Sequence, residues 1–291
     1  MSDKKLYDGL TESECADNSD GICSDDVIKN KLIEVAGVSG NTDETDIIKK
    51  AAEKLGTDNC ESCVITSEKF RDIAGSNLVD QNLRENFKPY GPHDDSLLSN
   101  VNIDEVLNQW AQGSIYSGNY GDKKMLDNWK TKFANFHPFE YHMIDFREHN
   151  KPLHTTNFNN LIKSGVKTFA CVLNTDKYGN GGKHWIAVFG DFRDNISGNG
   201  GKPYVAFFNS SGNMPGFPIV QWMKKVKAET GCDIIDTTGL RHQYSKTECG
   251  PYCLYFIWKL LNGINVEWFK KNKIDDKIVL NFRKRVFRKC R

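Results

Sequence analysis

The chain has 291 residues, of which 38% are hydrophobic and 11% aromatic, so it can bury the core of one large domain, or of a modest domain with an extra lobe. This composition excludes a chain that is disordered throughout. The longest unbroken apolar run, residues 252–258, is far shorter than the ~20 residues of a membrane-spanning helix. Residues 1–20 are polar and acidic, unlike a secretory signal. We therefore expect a globular protein without a membrane span that is not secreted.

The formal net charge of +1 conceals two regions of opposite sign. Residues 1–62 hold 15 acidic and 7 basic side chains, so the rest of the chain is basic. Six lysines and arginines fall within residues 281–291. A basic tail of this kind fits contact with nucleic acid or another polyanion, and it fits a solvated terminus equally well.

The N-terminal third reads as a helical lobe. Residues 1–40 show no sustained hydrophobic periodicity, and we expect them to be mobile or loosely attached. Apolar residues recur at helical spacing over 45–55, which predicts an amphipathic helix, and a second short helix is predicted over 63–74. Two prolines and a glycine in 86–96 mark a connector. We thus predict an acidic, mainly helical N-terminal lobe over 1–90 and a second domain over 91–291, which ends in the basic tail.

Beyond the connector the hydrophobic period changes from helix to strand. Apolar residues share one face of a predicted helix over 102–110. Three runs dense in aromatic and branched residues, at 168–173, 185–189 and 204–208, predict consecutive buried strands. The glycine-rich segment between the last two contains no helix-length period. We therefore expect those two strands to be antiparallel neighbours.

The C-terminal third alternates between helix and strand. A helix around 219–226 is predicted to end at Gly231, a strand follows at 232–237, and an apolar helix covers 250–261. Pro251 suits the first turn of that last helix, because proline lacks an amide hydrogen that would be unpaired there anyway. The order of elements predicts an α+β fold with a small mixed sheet flanked by helices.

The nine cysteines are an odd number in a chain without an export signal, which favours free thiols over a disulfide framework. Cys60 and Cys63 form a C-x-x-C motif. No second pair follows at the spacing of a zinc finger, and no βαβ unit surrounds the motif as a redox site would require. We therefore predict two thiols at a helix start without a catalytic task, no metal site and no cofactor.

One cysteine is placed to be a nucleophile. Cys249 precedes the predicted apolar helix, where partial positive charge favours the thiolate, and Gly250 leaves space for a substrate carbonyl. A buried structural cysteine is the alternative and the commoner fate of a lone cysteine. Cys253, one turn later and inside the apolar run, is predicted to be such a core residue.

A thiolate nucleophile needs a base and an orienting acceptor. His184 opens one predicted strand, and Asn209 ends its predicted antiparallel neighbour, so the two side chains are expected to meet. The indole of Trp185 could shield the ion pair from water. Gln243, six residues before Cys249, could donate an amide hydrogen to the developing oxyanion. One such donor stabilises the transition state by roughly 3 kcal/mol in other enzymes that catalyse acyl transfer. Each residue also has a plainer interpretation: a surface histidine, a polar strand end or a solvated loop glutamine.

In this order and context the residues resemble a known group. His184-Trp185, Phe208-Asn209-Ser210 and Gln243 through Cys249-Gly250 resemble the clan of cysteine peptidases that includes the adenovirus proteinase and the SUMO proteases. Within that clan the chain is most similar to the polyprotein-processing proteases of large DNA viruses, of the African swine fever virus type. The resemblance covers roughly residues 97–265. Asp is usual in SUMO proteases at the position of Asn209, and Asn fits the viral type.

The resemblance implies a papain-like, adenovirus-proteinase-like core with an added helical N-terminal lobe. It implies that Cys249 is the nucleophile, His184 the base, Asn209 the orienting residue and Gln243 the oxyanion donor, with Trp185 and Gly250 at the substrate. The implied activity is cleavage of viral core or capsid precursors after Gly-Gly type sequences, in the virion and the viral factory of the host cytoplasm. Two alternatives remain: an isopeptidase that removes ubiquitin or SUMO, and an inactive virion protein that binds nucleic acid.

Overall fold

The computed structural model describes residues 6–17, 19–93, 96–111 and 133–290. These residues form two compact units. The first contains the described residues up to 93 together with 283–290, and the second contains 96–111 and 133–282. The first five residues, part of the segment that we expected to be mobile, lie outside the described ranges.

The first unit is built from short helices that bury their apolar faces in one core, with Ile28, Leu32, Ile47, Phe70 and Val79 fully buried. Its helices are α1 (Asp26–Ala36), α2 (Glu44–Leu55), α3 (Glu61–Thr66), α4 (Glu68–Ala74) and α5 (Ser76–Asn86).

Two expectations for this region need correction. Helix α1 lies in the segment that we expected to be loosely attached, and it is capped by the Asp25 side chain and ended by Gly37 in the left-handed conformation. The helix predicted over 63–74 is two helices, because Ser67 adopts extended backbone and its Oγ caps α4. The helix predicted over 45–55 is confirmed as α2.

Five cysteines of the first unit contradict the prediction that all thiols are free, because Cys63 lies at disulfide-bonding distance from both Cys60 and Cys290, and a further pair is bonded. Cys15 and Cys23 form a disulfide across eight residues. The segment between them is mostly polar, and its sequence contains no pattern that would predict this pairing. Cys171, Cys232, Cys249 and Cys253 are buried without a disulfide, as predicted.

The second unit is organised by a mixed sheet with the order β1-β3-β4-β5-β6, in which β2 also pairs with β3. The central strand β4 is antiparallel to both of its neighbours, β3 and β5, whereas β1 and β2 run parallel to β3 and β6 runs parallel to β5. The strands are β1 (Phe136–Pro138), β2 (His142–Met143), β3 (Thr168–Asn174), β4 (Trp185–Asp191), β5 (Tyr204–Phe208) and β6 (Asp233–Asp236).

Helices cover this sheet. On one face, Trp222 of α9 packs against Phe169 of β3, and on the other Phe256 of α10 stacks on Phe208 of β5. The helices are α6 (Asn100–Trp110), α7 (Pro152–Thr155), α8 (Phe158–Lys163), α9 (Phe217–Thr230), α10 (Cys249–Leu261), α11 (Trp268–Lys271) and α12 (Asp276–Val286). The predicted α+β class with a small mixed sheet flanked by helices is confirmed.

The pairing of β4 with β5 sets the position of the predicted site residues. Ala187 lies opposite Phe208, so the residue before β4 and the residue after β5 stand at the same end of the sheet. These two residues are His184 and Asn209. The three strands predicted from the aromatic runs, and the antiparallel pairing of the last two, are confirmed.

The basic tail makes internal contacts in the first unit. Arg283 is fully buried, Arg285 forms an ion pair with Glu12, and Lys289 forms one with Asp58. The positive charges of Arg285 and Lys289 are thus partnered within the first unit. Among the described residues, we find no helix long and apolar enough to cross a membrane.

We predict that Gly190→Ala destabilises the second unit. A Cβ atom at Gly190 of β4 would overlap the ring of Phe169, which is fully buried and therefore has little room to move. Overpacking of this kind costs about 1–3 kcal/mol. Urea unfolding should show the loss. The control, Gly181→Ala, adds a methyl group to open space and should leave stability nearly unchanged; equal stability of both variants would contradict this account of the sheet.

Candidate active site

A cavity of about 360 Å³ opens in the second unit at the end of the sheet where β4 begins. Its wall is formed by the segment before α6, by the loop before β4 and by the start of α10, and it contains Leu98, Gly182, His184, Trp185 and Cys249. The nucleophile and the base predicted from the sequence therefore share one cavity.

Cys249 is the first residue of α10, every residue of which is buried. Its side chain is itself only 3% exposed. Burial raises the pKa of the Cys249 thiol, while backbone N–H groups, including those of Trp185 and Gly250, act in the opposite direction. We expected the helix N-terminus to lower this pKa. Desolvation outweighs that effect in the free protein, because the thiolate loses its hydration in the packed wall.

His184 and Asn209 are joined by a hydrogen bond of 2.8 Å between Nε2 and Oδ1. The same Oδ1 accepts hydrogen bonds from the backbone N–H and the Oγ of Ser211, at 3.0 and 2.7 Å. Because the backbone N–H of Ser211 donates to this atom, the atom must be the amide oxygen of Asn209 and not its nitrogen. An oxygen can only accept here, so Nε2 of His184 carries the hydrogen and donates it to Asn209. The neutral imidazole then keeps its lone pair on Nδ1, which makes Nδ1 the basic nitrogen.

Trp185 and Gly250 define the narrow part of the wall. The indole Nε1 of Trp185 donates a hydrogen bond to the carbonyl oxygen of Leu98, at 3.1 Å. A Cβ atom on Gly250 would lie 3.2 Å from Cβ of Leu98 and 3.4 Å from Cδ1 of Trp185. A side chain at this position would therefore require Leu98 to shift by a few tenths of an ångström.

Gln243 is buried rather than solvated. Its Oε1 accepts a hydrogen bond from Oγ of Ser210 at 2.7 Å, and its Nε2 donates to the carbonyl oxygen of Ser245 at 3.0 Å. Gln243 is not one of the described residues that line the cavity. The structure thus holds Gln243 by its neighbours on both sides, and its role as an oxyanion donor stays a prediction.

Sequence reasoning missed the residue that shapes the loop before β4. Oδ1 of Asn174 accepts hydrogen bonds from the backbone N–H groups of Asp176 and Lys183, at 3.0 and 2.9 Å. Gly182 approaches this side chain so closely that a Cβ there would lie 2.8 Å from Nδ2. Asn174 ends β3 opposite Trp185, and a polar residue at the end of an apolar strand was the available signal.

The second cysteine of α10 behaves differently from the first. Cys253 is fully buried, and burial raises the pKa of its thiol well above the ordinary value. It is also absent from the cavity lining. These features match the core role predicted for it.

Comparison with known proteins supports a protease. No family model matches the chain. A SUMO-1 cysteine protease of African swine fever virus is 32% identical over 257 residues, which is 81% of this chain and 85% of that protein. A putative thiol protease of Acanthamoeba polyphaga mimivirus is 32% identical over 118 residues, 38% of this chain and 36% of its own length.

The folds agree over nearly the whole length. The crystal structure of the African swine fever virus protease matches with a TM-score of 0.74 at 28% sequence identity, and the match covers 96% of this chain and 97% of that one. The chain is therefore a cysteine protease that belongs to the family of the African swine fever virus SUMO-1 cysteine protease.

Proposed function

We propose that this cysteine protease is an endopeptidase that cleaves viral core or capsid precursor polyproteins after Gly-Gly type sequences. The observation that carries the proposal is the hydrogen bond of 2.8 Å between His184 and Asn209, beside the cavity that His184 and Cys249 share. Such a precursor would be met in the virion and in the viral factory of the host cytoplasm.

In the proposed mechanism Cys249 Sγ attacks the carbonyl carbon of the scissile peptide and its proton passes to Nδ1 of His184. The imidazolium is held by the Nε2 bond to Asn209. Collapse of the tetrahedral intermediate transfers that proton to the leaving amine and leaves a thioester on Cys249. Water, deprotonated by His184, then hydrolyses the thioester and releases the acid product.

The proposed pairing of Cys249 with His184 also compensates for the raised pKa of the buried thiol. Burial raises the pKa of Cys249, so an isolated thiolate is disfavoured at neutral pH. A neighbouring imidazolium favours the thiolate by direct charge attraction. We therefore assign His184 two tasks, namely to receive the proton and to stabilise the anion that remains.

The shape of the wall supports small substrate residues. A Cβ atom added at Gly250 would lie within 3.4 Å of both Leu98 and the Trp185 indole, and the bond from Trp185 to Leu98 holds this wall in place. A long side chain next to the scissile bond would need these groups to separate. Glycine needs no such space, which favours a Gly-Gly sequence at the cleavage site.

The name of the relative, a SUMO-1 cysteine protease, supports the second candidate, an isopeptidase that acts on ubiquitin-like conjugates. Incubation of the chain with a Gly-Gly-containing precursor fragment, with its Gly→Val version and with SUMO and ubiquitin conjugates separates the two. We expect cleavage after Gly-Gly, loss of cleavage with valine, and slower release from conjugates. Faster release from conjugates than from the precursor would contradict the endopeptidase proposal.

Nucleic-acid contact through the tail has less support. Arg285 and Lys289 already form ion pairs with Glu12 and Asp58. An intact Cys249, His184 and Asn209 set also argues against an inactive virion protein.

Cys249→Ala should abolish cleavage, whereas Cys253→Ala should retain most activity, because only Cys249 borders the cavity. Loss of a nucleophile lowers kcat by at least ~10³-fold. Initial rates on the precursor fragment, at matched folded concentration, measure both. Equal losses in the two variants would mean that the nucleophile is misassigned.

Asn209→Ala should lower kcat/KM about tenfold or more, equivalent to ~1.4 kcal/mol or more, because the His184 ring loses its acceptor. Asn209→Asp keeps an oxygen for both His184 and Ser211 and should retain more activity. Steady-state kinetics on the precursor fragment provide the measurement. Full activity in the alanine variant would remove Asn209 from the proposed mechanism.

Gln243→Glu should lower kcat about 10²- to 10³-fold with KM little changed, because it removes the N–H donor. It keeps the oxygen that accepts from Ser210 but loses the donor to the Ser245 carbonyl, so the rates are compared at matched concentrations of folded protein. A glutamate variant with normal kcat would show that Gln243 serves packing rather than the oxyanion.

A further inference from the structure

Three cysteines from distant parts of the chain meet in the first unit. The sulfur atoms of Cys60, Cys63 and Cys290 all lie within 4.8 Å of one another, although 227 positions separate Cys63 from Cys290. The sulfur of Cys63 lies at disulfide-bonding distance from both of the others. Because one sulfur forms only one disulfide, no disulfide pairing accounts for all three thiols.

We propose that Cys60, Cys63 and Cys290 bind a zinc ion as three thiolates, with the fourth tetrahedral position open to water or another small ligand. Thiolates are preferred zinc ligands, and C-x-x-C supplies two of them from one turn of chain. The sulfurs of Cys60 and Cys290 are 3.9 Å apart. Two thiolates bound to one tetrahedral zinc at ~2.3 Å have about this separation. Cys63 lies closer to both of the others, at disulfide-bonding distance, so its sulfur has to be reduced and to move away from them when zinc binds.

Hydrogen bonds to the ligand sulfur support the site. The backbone N–H of Cys63 donates to Sγ of Cys60 at 3.1 Å, and Oγ of Ser62 lies 3.6 Å from the same sulfur. Because the Ser62 hydroxyl donates its hydrogen to Glu14, the backbone N–H of Cys63 is the donor that would stabilise and orient a metal-bound thiolate at Cys60.

A carboxylate ties the two ligand-bearing segments together. Glu14 accepts hydrogen bonds from the backbone N–H and the Oγ of Ser62 and from the backbone N–H of Lys289. The backbone N–H of Cys290 in turn donates to Oγ of Ser62 at 3.2 Å. The third ligand is thus held beside the C-x-x-C motif by contacts that do not require the metal.

Charge around the site favours a divalent cation over thiol–disulfide exchange. Cys60 opens onto a cavity of about 300 Å³ whose lining includes five acidic residues. Glu44 and Glu12 among them are ion-paired with Lys29 and Arg285, and burial raises the pKa of Glu61 to about 7, which leaves Glu14 and Asp20 to attract a cation. Carboxylates attract a cation, and they disfavour the free thiolate that exchange requires. The amine of Lys289, next to Cys290, is paired with Asp58. On binding zinc, each thiol releases its proton to solvent, and the metal compensates the negative charge.

The test uses the full chain as Cys249→Ala, so that the active-site thiol cannot bind metal. After reduction without oxygen, zinc or cobalt(II) is added and excess metal is removed by gel filtration. We expect about one metal ion per chain by elemental analysis, and with cobalt a thiolate-to-metal charge-transfer band. Since this background is inactive by design, the result is independent of whether the proposed protease mechanism is correct.

Changes of Cys60, Cys63 and Cys290 to Ser, singly and together, should each lower the bound metal, and the triple variant should bind none. Cys15→Ser with Cys23→Ser is the matched control in the same unit, and it should bind as much as the parent. A reduced parent chain that retains no zinc and shows no cobalt band overturns the proposal. So does a disulfide among the three residues that re-forms in the presence of equimolar zinc, which would indicate a redox site.

Discussion

The hydrogen bond between His184 Nε2 and Asn209 Oδ1 is the interaction on which the site depends. It exists because β4 and β5 are antiparallel neighbours in a register that places the residue before one strand beside the residue after the other. Ser211 fixes the amide orientation from the following turn. A backbone feature, strand pairing, thereby determines which imidazole nitrogen remains basic.

The buried helix α10 supplies the second constraint. Since every residue of α10 is buried, Cys249 has little freedom to move relative to the sheet. The same packing desolvates the thiol and raises its pKa. Rigid placement of the proposed nucleophile thus comes with a thiol that ionises less readily, and the proposed mechanism offsets this with a base in the same cavity.

The strands and α10 could be predicted because each is a continuous run of apolar residues, and the burial of such a run can be inferred from the segment's own sequence. Once β4 and β5 were predicted to be antiparallel neighbours, the proximity of His184 and Asn209 at their ends could be predicted as well. Other features depend on contacts between distant residues, which leave no period in the sequence. The meeting of Cys290 with Cys60 and Cys63, and the Cys15–Cys23 disulfide, are of this kind. The packing of α1 was also missed, because only Ile28, Leu32 and Ala36 are buried among its many charged residues.

The most direct test of the central claim is nitrogen NMR of the His184 ring in the Cys249→Ala variant, where no thiol shares the proton. The account predicts that the neutral ring carries its hydrogen on Nε2, donated to Asn209, and that Nδ1 is unprotonated. A neutral ring with its hydrogen on Nδ1 would contradict the account, because His184 could then neither donate to Asn209 through Nε2 nor accept the thiol proton at Nδ1.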